Sequence, residues 1–161
     1  MDAQKRAGNH SDAASPSSNC KPELGSRAAF EWKVRVYYED TDLGGVVYHA
    51  NYLRFMERAR TEWLRSLGFE QDMLRSQHSL QFVVIGAALK FHRPARFNDE
   101  LQVSVSVTDI GRASLAMHQD VHVIGAEHMH VCSGEVCAAC IDAYTFKPRS
   151  LPREILMELA K

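Results

Sequence analysis

Between Ala50 and Leu67 the side chains Tyr52, Phe55, Met56, Ala59, Trp63 and Leu67 recur at intervals of three and four, placing them on one face of an α-helix of about five turns. Arg54, Glu57, Arg58, Arg60, Glu62 and Arg65 occupy the opposite face as a solvated side, with Arg58 and Glu62 spaced to meet one turn apart. Gly68 reads as the C-terminal stop. A long helix with one apolar face has to bury that face, and most of the remaining chain is written in the residue types of strands.

Glu31 to Tyr38 alternates charged and apolar residues, the period-two pattern of a half-buried strand. Leu80 to Phe91, Leu101 to Ile110, Ala113 to Val123 and His128 to Tyr144 are rich in Val, Ile, Leu and Phe. Turn-like breaks at Arg93-Pro94, Gly111 and Gly125-Ala126 separate them, and short breaks imply antiparallel pairing. A second helical piece, about Glu70 to Ser76, precedes these strands, and a final one, Arg153 to Ala160, follows Pro148 and Pro152. The pattern predicts an α+β fold in which an antiparallel sheet carries the long helix across one face.

At 161 residues with 45% apolar content the chain fits one domain with a genuine core. Residues 1–29 are rich in Ser, Ala, Asn, Asp, Gly and Lys without repeated apolar positions, so they read as a disordered polar tail ahead of a domain spanning 30–161. The tail has no apolar core of a secretory signal, and no stretch approaches the ~18 apolar residues of a membrane span, so a cytoplasmic protein is expected. A formal net charge of -1 and a pI near 6.7 leave no general field for polyanions, which argues against nucleic acid as a partner. A local pocket for phosphates stays open.

His128, His130, Cys132, Cys137 and Cys140 crowd one segment and include a Cys-x-x-Cys, which raises a zinc reading. A strand sends neighbouring side chains to opposite faces, so Cys137 and Cys140 diverge if this segment is extended. No second Cys-x-x-Cys exists and Cys20 lies in the tail, so the expectation is reduced, partly buried cysteines and no metal site.

The chemistry concentrates at Asp40-Thr41-Asp42-Leu43-Gly44-Gly45-Val46-Val47-Tyr48-His49, where the first strand run meets the long helix. The first N–H groups of a helix lack intrahelical partners and carry partial positive charge, so an anion, or a carbonyl becoming one, is stabilised there. Gly44 and Gly45 let the chain turn sharply and a ligand approach the main chain. An Asp before a helix is commonly a cap, and that reading stays open for both Asp40 and Asp42. The company of two glycines and His49 exceeds what one cap requires.

The stretch Val36-Tyr37-Tyr38-Glu39-Asp40-Thr41-Asp42-Leu43-Gly44-Gly45-Val46-Val47-Tyr48-His49-Ala50-Asn51-Tyr52, continued by Glu57-Arg58-Ala59-Arg60, resembles the hotdog-fold acyl-CoA thioesterases. The similarity is to the 4-hydroxybenzoyl-CoA thioesterase-like branch that includes the Tol-Pal-associated enzymes, and it covers about Trp32 to Arg153. Arg93-Pro94-Ala95-Arg96-Phe97-Asn98-Asp99-Glu100-Leu101 is a second, looser match, with Asn98 where an Asp is more usual. The resemblance implies a sheet wrapped around one central helix and assembly as dimers or tetramers, with the site at the subunit interface. It implies hydrolysis of acyl-CoA to free acid and CoA without metal or cofactor, with an acyl carrier protein as a possible alternative partner. By the same resemblance Asp42 is the catalytic carboxylate, Tyr38 and His49 are its partners, and the thioester carbonyl lies at the helix N-terminus beside the His49 N–H.

A thioester leaves as a thiolate, whose conjugate acid resembles a cysteine with pKa about 8.5, so one carboxylate and one oxyanion donor suffice. Asp42 acts either as general base or as a nucleophile forming a mixed anhydride. Gly45 and Tyr48 are expected beside the substrate. The CoA phosphates call for cations, for which Lys90, Arg93, Arg96, Arg112 and Arg149 are candidates, with Ser114 beside Arg112. Glu57 is a rival carboxylate, because another hotdog branch works from a helix acid, although a helix-surface ion pair suits its place better. Two other functions stay open: a hydroxyacyl-thioester dehydratase using His49 and Glu57, and a non-catalytic acyl-CoA sensor or scaffold.

Overall fold

The computed structural model describes residues 30–125 and 128–159; the polar stretch 1–29, with Cys20, lies outside them. In chain order the elements are β1 (Phe30–Arg35), a 3-10 turn (Tyr38–Asp40), α1 (His49–Ser66), α2 (Gln71–His78), β2 (Leu80–Phe91), β3 (Glu100–Ile110), β4 (Ser114–Val123), β5 (Met129–Asp142) and α3 (Arg153–Leu159). The strands form one antiparallel sheet in the order β1-β3-β4-β5-β2, with β1 and β2 at the edges. The first strand is shorter than its alternation predicts. It ends at Arg35, and Tyr38 to Asp40 winds into the 3-10 turn, where the Tyr37 N–H donates to Asp40 Oδ2 at 2.9 Å.

The inward face of the sheet cradles α1, which is the hotdog arrangement. Leu101, Val103 and Val105 of β3 alternate with more exposed neighbours, and Leu115, Met117 and Val121 of β4 continue the same face. From α1, Tyr52, Phe55, Met56 and Ala59 are buried as predicted. Phe55 and Met56 are fully enclosed, each worth about 1.5–3 kcal/mol of transfer free energy. Trp63 and Leu67 are only half-buried, because the helix turns its Leu64 into the core near that end. The helix lies so close to β5 that a Cβ on Gly134 would stand 2.9 Å from Met56 Sδ.

One polar node crosses this core. Gln119 of β4 is fully buried; its Nε2 donates to the Met56 carbonyl at 3.1 Å and to the Ser104 carbonyl at 3.3 Å, while its Oε1 accepts from Arg60 Nη1 at 2.7 Å. Every polar atom of the amide is used, which avoids the ~1–3 kcal/mol cost of an orphaned group. Arg60 also pairs with Glu57 at 2.5 Å, so Glu57 is the helix-surface ion pair its position suggested. The expected Arg58 to Glu62 pair does not form. Arg65 takes Glu62 instead, and Glu70 at 2.9 Å as well, because it reaches both from the helix end.

Cys137 and Cys140 stand on opposite faces of β5, Cys137 half-buried outside and Cys140 buried inside. Burial pushes the Cys140 thiol up to about 11 and the Cys132 thiol up to about 12, so both stay protonated near neutral pH. Among the described residues no helix is long and apolar enough to cross a membrane.

Candidate active site

The loop between β1 and α1 is built to hold one carboxylate still. The Gly45 N–H closes a turn onto the Asp42 carbonyl at 3.0 Å, and the Asp42 N–H donates back to the Val46 carbonyl at 3.0 Å. Gly45 has φ +72°, the left-handed residue that lets the chain re-enter antiparallel pairing after such a turn. Thr41 then bridges Val47, and Val46 bridges Arg96, which ties the loop to the segment following β2. Asn98 in that segment has φ +72°, a conformation Asn and Asp tolerate best, so the departure from the family's usual Asp preserves the backbone.

The two aspartates of the motif separate into different tasks. Asp40 is buried and structural: its Oδ2 accepts the Tyr37 N–H, and its carbonyl accepts from the Tyr48 N–H at 2.8 Å and from Asn51 Nδ2 at 2.9 Å. Asp42 is exposed. Its Oδ1 accepts the Gly44 N–H at 2.8 Å, which fixes the side chain and leaves Oδ2 for other partners. Neither side chain caps α1; Tyr48 holds the cap position and makes no side-chain hydrogen bond. The Asn51 N–H donates to the Tyr48 carbonyl at 2.8 Å, and the N–H groups of His49 and Ala50 are left to face whatever occupies the space before them.

That space is an open cleft of about 330 Å³ lined by Asp42, Val46, Val47, His49, Tyr52, Phe91, His92, Arg93 and Pro94. Asp42, His49 and Arg93, named from the sequence, meet here. Tyr52 is buried; its hydroxyl accepts the Ala95 N–H at 3.2 Å, and burial raises its pKa against the opposing pull of that hydrogen bond. Tyr52 and Phe91 pack with ring centroids 5.6 Å apart and give the cleft an apolar floor. Sequence reasoning marks Tyr52 only as a residue of the buried helix face and does not single out His92 or Phe91. The only signal for them was their place beside Arg93-Pro94 and on the inner face of the helix.

The other expected site residues stand elsewhere. Tyr38 is outside the cleft lining, its ring stacked on Phe97 at 3.9 Å and 13° and largely exposed. Tyr48 also lies outside the lining, its ring tilted against His49 with centroids 4.3 Å apart, and Gly45 sits at the back of the turn. Arg112 and Ser114 are at the far end of the sheet. Ser114 pairs with Ala139 of β5, whereas Phe91 pairs with Cys132, seven residues or about 23 Å along the strand. Arg112 hydrogen-bonds Ser150 Oγ at 3.2 Å, and Arg149 reaches the His78 carbonyl at 2.5 Å and Asp142 at 3.7 Å. In a single chain these cations cannot serve the Asp42 cleft.

Comparison with known proteins gives this geometry a family. The model of the Thioesterase superfamily matches residues 44–126. The chain is 43% identical over 129 residues to the acyl-CoA thioester hydrolase YbgC of Escherichia coli, covering 80% of this chain and 94% of that protein. Among solved structures, a probable thioesterase from Bartonella henselae is 37% identical with a TM-score of 0.72, covering 78% of this chain and 100% of the other. A 1,4-dihydroxy-2-naphthoyl-CoA thioesterase from Synechocystis superposes with a TM-score of 0.77 at 22% identity over 83% of this chain and 97% of the other, a likeness of fold. Since the matched segment starts inside the Asp42 loop and runs through α1, α2 and the strands β2 to β4, the chain belongs to the Thioesterase superfamily and has its hotdog fold.

Proposed function

We propose that this protein hydrolyses acyl-CoA thioesters to the free carboxylic acid and CoA. The observation that carries the reading is that Asp42 and the uncapped start of α1 line one cleft. The thioester carbonyl lies at that helix end, where unpaired N–H groups and the macrodipole stabilise the oxyanion of addition. Asp42 supplies the other half of the chemistry. It accepts a proton from water attacking the carbonyl carbon, or attacks that carbon itself and is released by water in a second step; in both routes CoA departs as thiolate and takes up a proton. Helix-end polarisation removes the need for a Lewis acid, so turnover persists in chelator. His49 orients the water or the carbonyl from the helix start, and Tyr38 supports the loop from behind.

The site is completed by a second copy of the chain. Val84 and Ile85 stand exposed on β2, an edge strand that pairs with β5 on one side only and has a bulge between Val84 and Gly86, and an apolar edge of that kind calls for a covering partner. A partner docked there brings its own Arg112, Ser114 and Arg149 toward the CoA phosphates, which the cations of one chain cannot do for their own cleft.

The test is thiol release from short, long and aromatic acyl-CoAs by wild type and Asp42→Asn. The amide keeps an oxygen for the Gly44 N–H, so the loop is retained while proton acceptance and nucleophilicity are lost. A fall of about a hundredfold or more is expected. Unchanged turnover in a folded Asp42→Asn protein would remove Asp42 from the chemistry.

A further inference from the structure

Five histidines gather at one end of the sheet, on or beside the face turned away from α1, and one of them also lines the cleft. His92, just beyond β2, has Nε2 2.9 Å from Ser133 Oγ and its ring centroid 4.3 Å from that of His130. His130 of β5 stacks in turn on His122 of β4 at 4.6 Å, and His122 on His128 at 4.5 Å. Asp120 joins the series from β4: its Oδ1 lies 2.9 Å from His130 Nε2 and its Oδ2 3.1 Å from His118 Nε2. His118 Nδ1 is 2.6 Å from Glu135 of β5. The 2.9 Å approach of Asp120 to His130 is an ion-pair contact without hydrogen-bond geometry, and the buried Nε2 has no hydrogen-bond partner.

The order in which this array takes up protons follows from its neighbours. Burial opposes charge on His118, but the hydrogen bond and charge of Glu135 and the charge of Asp120 outweigh it and raise its pKa, so it charges early. For His92, burial, then His130, then Lys90 lower the pKa against the opposing pull of Asp120. For His122, burial, His130 and His128 lower it, with Asp120 and Glu31 of β1 opposing. Glu135 faces His118, and Asp120 is shared between His118 and His130. Protons added below the ordinary histidine pKa of 6.5 must then enter a stack of rings 4.3–4.6 Å apart, where like charges repel.

We propose that His92 is a positioning residue of the cleft wall, kept in place by this imidazole and carboxylate ladder, so that acid weakens substrate binding without acting on Asp42. The inference rests on the thioesterase reading of the cleft. The backbone at this point is fixed, since the His92 and Arg93 N–H groups both donate to the Val131 carbonyl, at 2.9 and 3.3 Å. The imidazole is what can move. The His130 ring behind it and Lys90 beside it leave the cleft as the open direction for a charged His92, and there the ring takes space and adds charge next to Arg93.

The test compares KM and kcat for one acyl-CoA in wild type, His130→Gln and His92→Gln from about pH 8 to about pH 5.5. In wild type KM rises up to about tenfold toward the acid end, as a binding-competent fraction titrates away. In His130→Gln the imidazole that opposes charge on His92 is gone, so KM starts near the wild-type value and stays flat. His92→Gln has an altered KM that no longer follows pH. A flat wild-type KM, or an acid rise that persists in His130→Gln, overturns the proposal. A purely structural role for His130 would shift KM equally at every pH, which also overturns it. If no variant releases thiol at any pH, the hydrolase reading alone fails, and the same comparison on the Kd of an acyl-CoA thioether decides the ladder.

Discussion

Asn51 Nδ2 donates to the Asp40 carbonyl at 2.9 Å, and both residues are buried. The bond joins the first turn of α1 to the loop that carries Asp42, so the helix N-terminus and the carboxylate are held as one unit. Asp40 also accepts the Tyr48 N–H, so losing Asn51 does not orphan its carbonyl. Asn51→Ala should destabilise the fold by about 1–2 kcal/mol, one hydrogen bond and a small cavity, read from denaturant midpoints. Asn51→Asp should be worse, because it sets a carboxylate against a carbonyl in a buried site. The reverse ranking would mean that the amide donor is not what fixes the loop.

Gly45 tests the loop from its other end. A Cβ there would meet nothing within 4 Å, so any cost of substitution comes from the backbone angle of +72° alone. Gly45→Ala should cost about 1–2 kcal/mol and Gly45→Asn distinctly less, since Asn tolerates the left-handed region. Thermal unfolding of the two variants side by side gives the difference. Equal melting temperatures would show that the turn relaxes to a different conformation once the glycine is gone.

These loop residues also show what was legible in the chain before it was folded. Period and residue type placed the long helix and the strand runs within a few positions, because α1 and the sheet bury each other along regular faces. The motif gave Asp42 and His49 a shared cleft, and the Arg93-Pro94 break gave a third wall residue. Local sequence could not place Arg112 and Ser114 about 23 Å from Phe91 along β5, because that distance depends on the register of three strands. The division of labour between Asp40 and Asp42 was equally hidden. Both precede the helix, and only the fold shows that Asn51 and Tyr48 reach back to Asp40 while Asp42 turns outward. The histidine ladder draws on β2, β4 and β5, so its members look unrelated in the sequence.

Asp142 at the end of β5 offers a pH test independent of the cleft. Its Oδ1 accepts the Thr145 N–H at 2.9 Å, the Tyr144 N–H at 3.1 Å and the Thr145 hydroxyl at 3.0 Å, closing the loop toward α3. The Thr145 backbone hydrogen bond, followed by those of Tyr144 and the Thr145 side chain, lowers its pKa below the ordinary 3.8, against a small opposing effect of burial, and Arg149 assists. A carboxyl depressed in the folded state contributes stability that is fully present above its unfolded pKa and is lost as pH falls through the folded one. Asp142→Ala should therefore be less stable than wild type by a constant margin from neutral pH down to about pH 5, and that margin should shrink below about pH 4. Asp142→Asn keeps an oxygen for the loop N–H groups but no charge, so its margin should be smaller and should shrink over the same pH range, while the difference between the Asn and Ala variants stays constant. Urea midpoints across that range make the comparison, and a wild-type to Asp142→Ala margin that stays constant into acid would mean the carboxylate holds the loop by shape and not by charge.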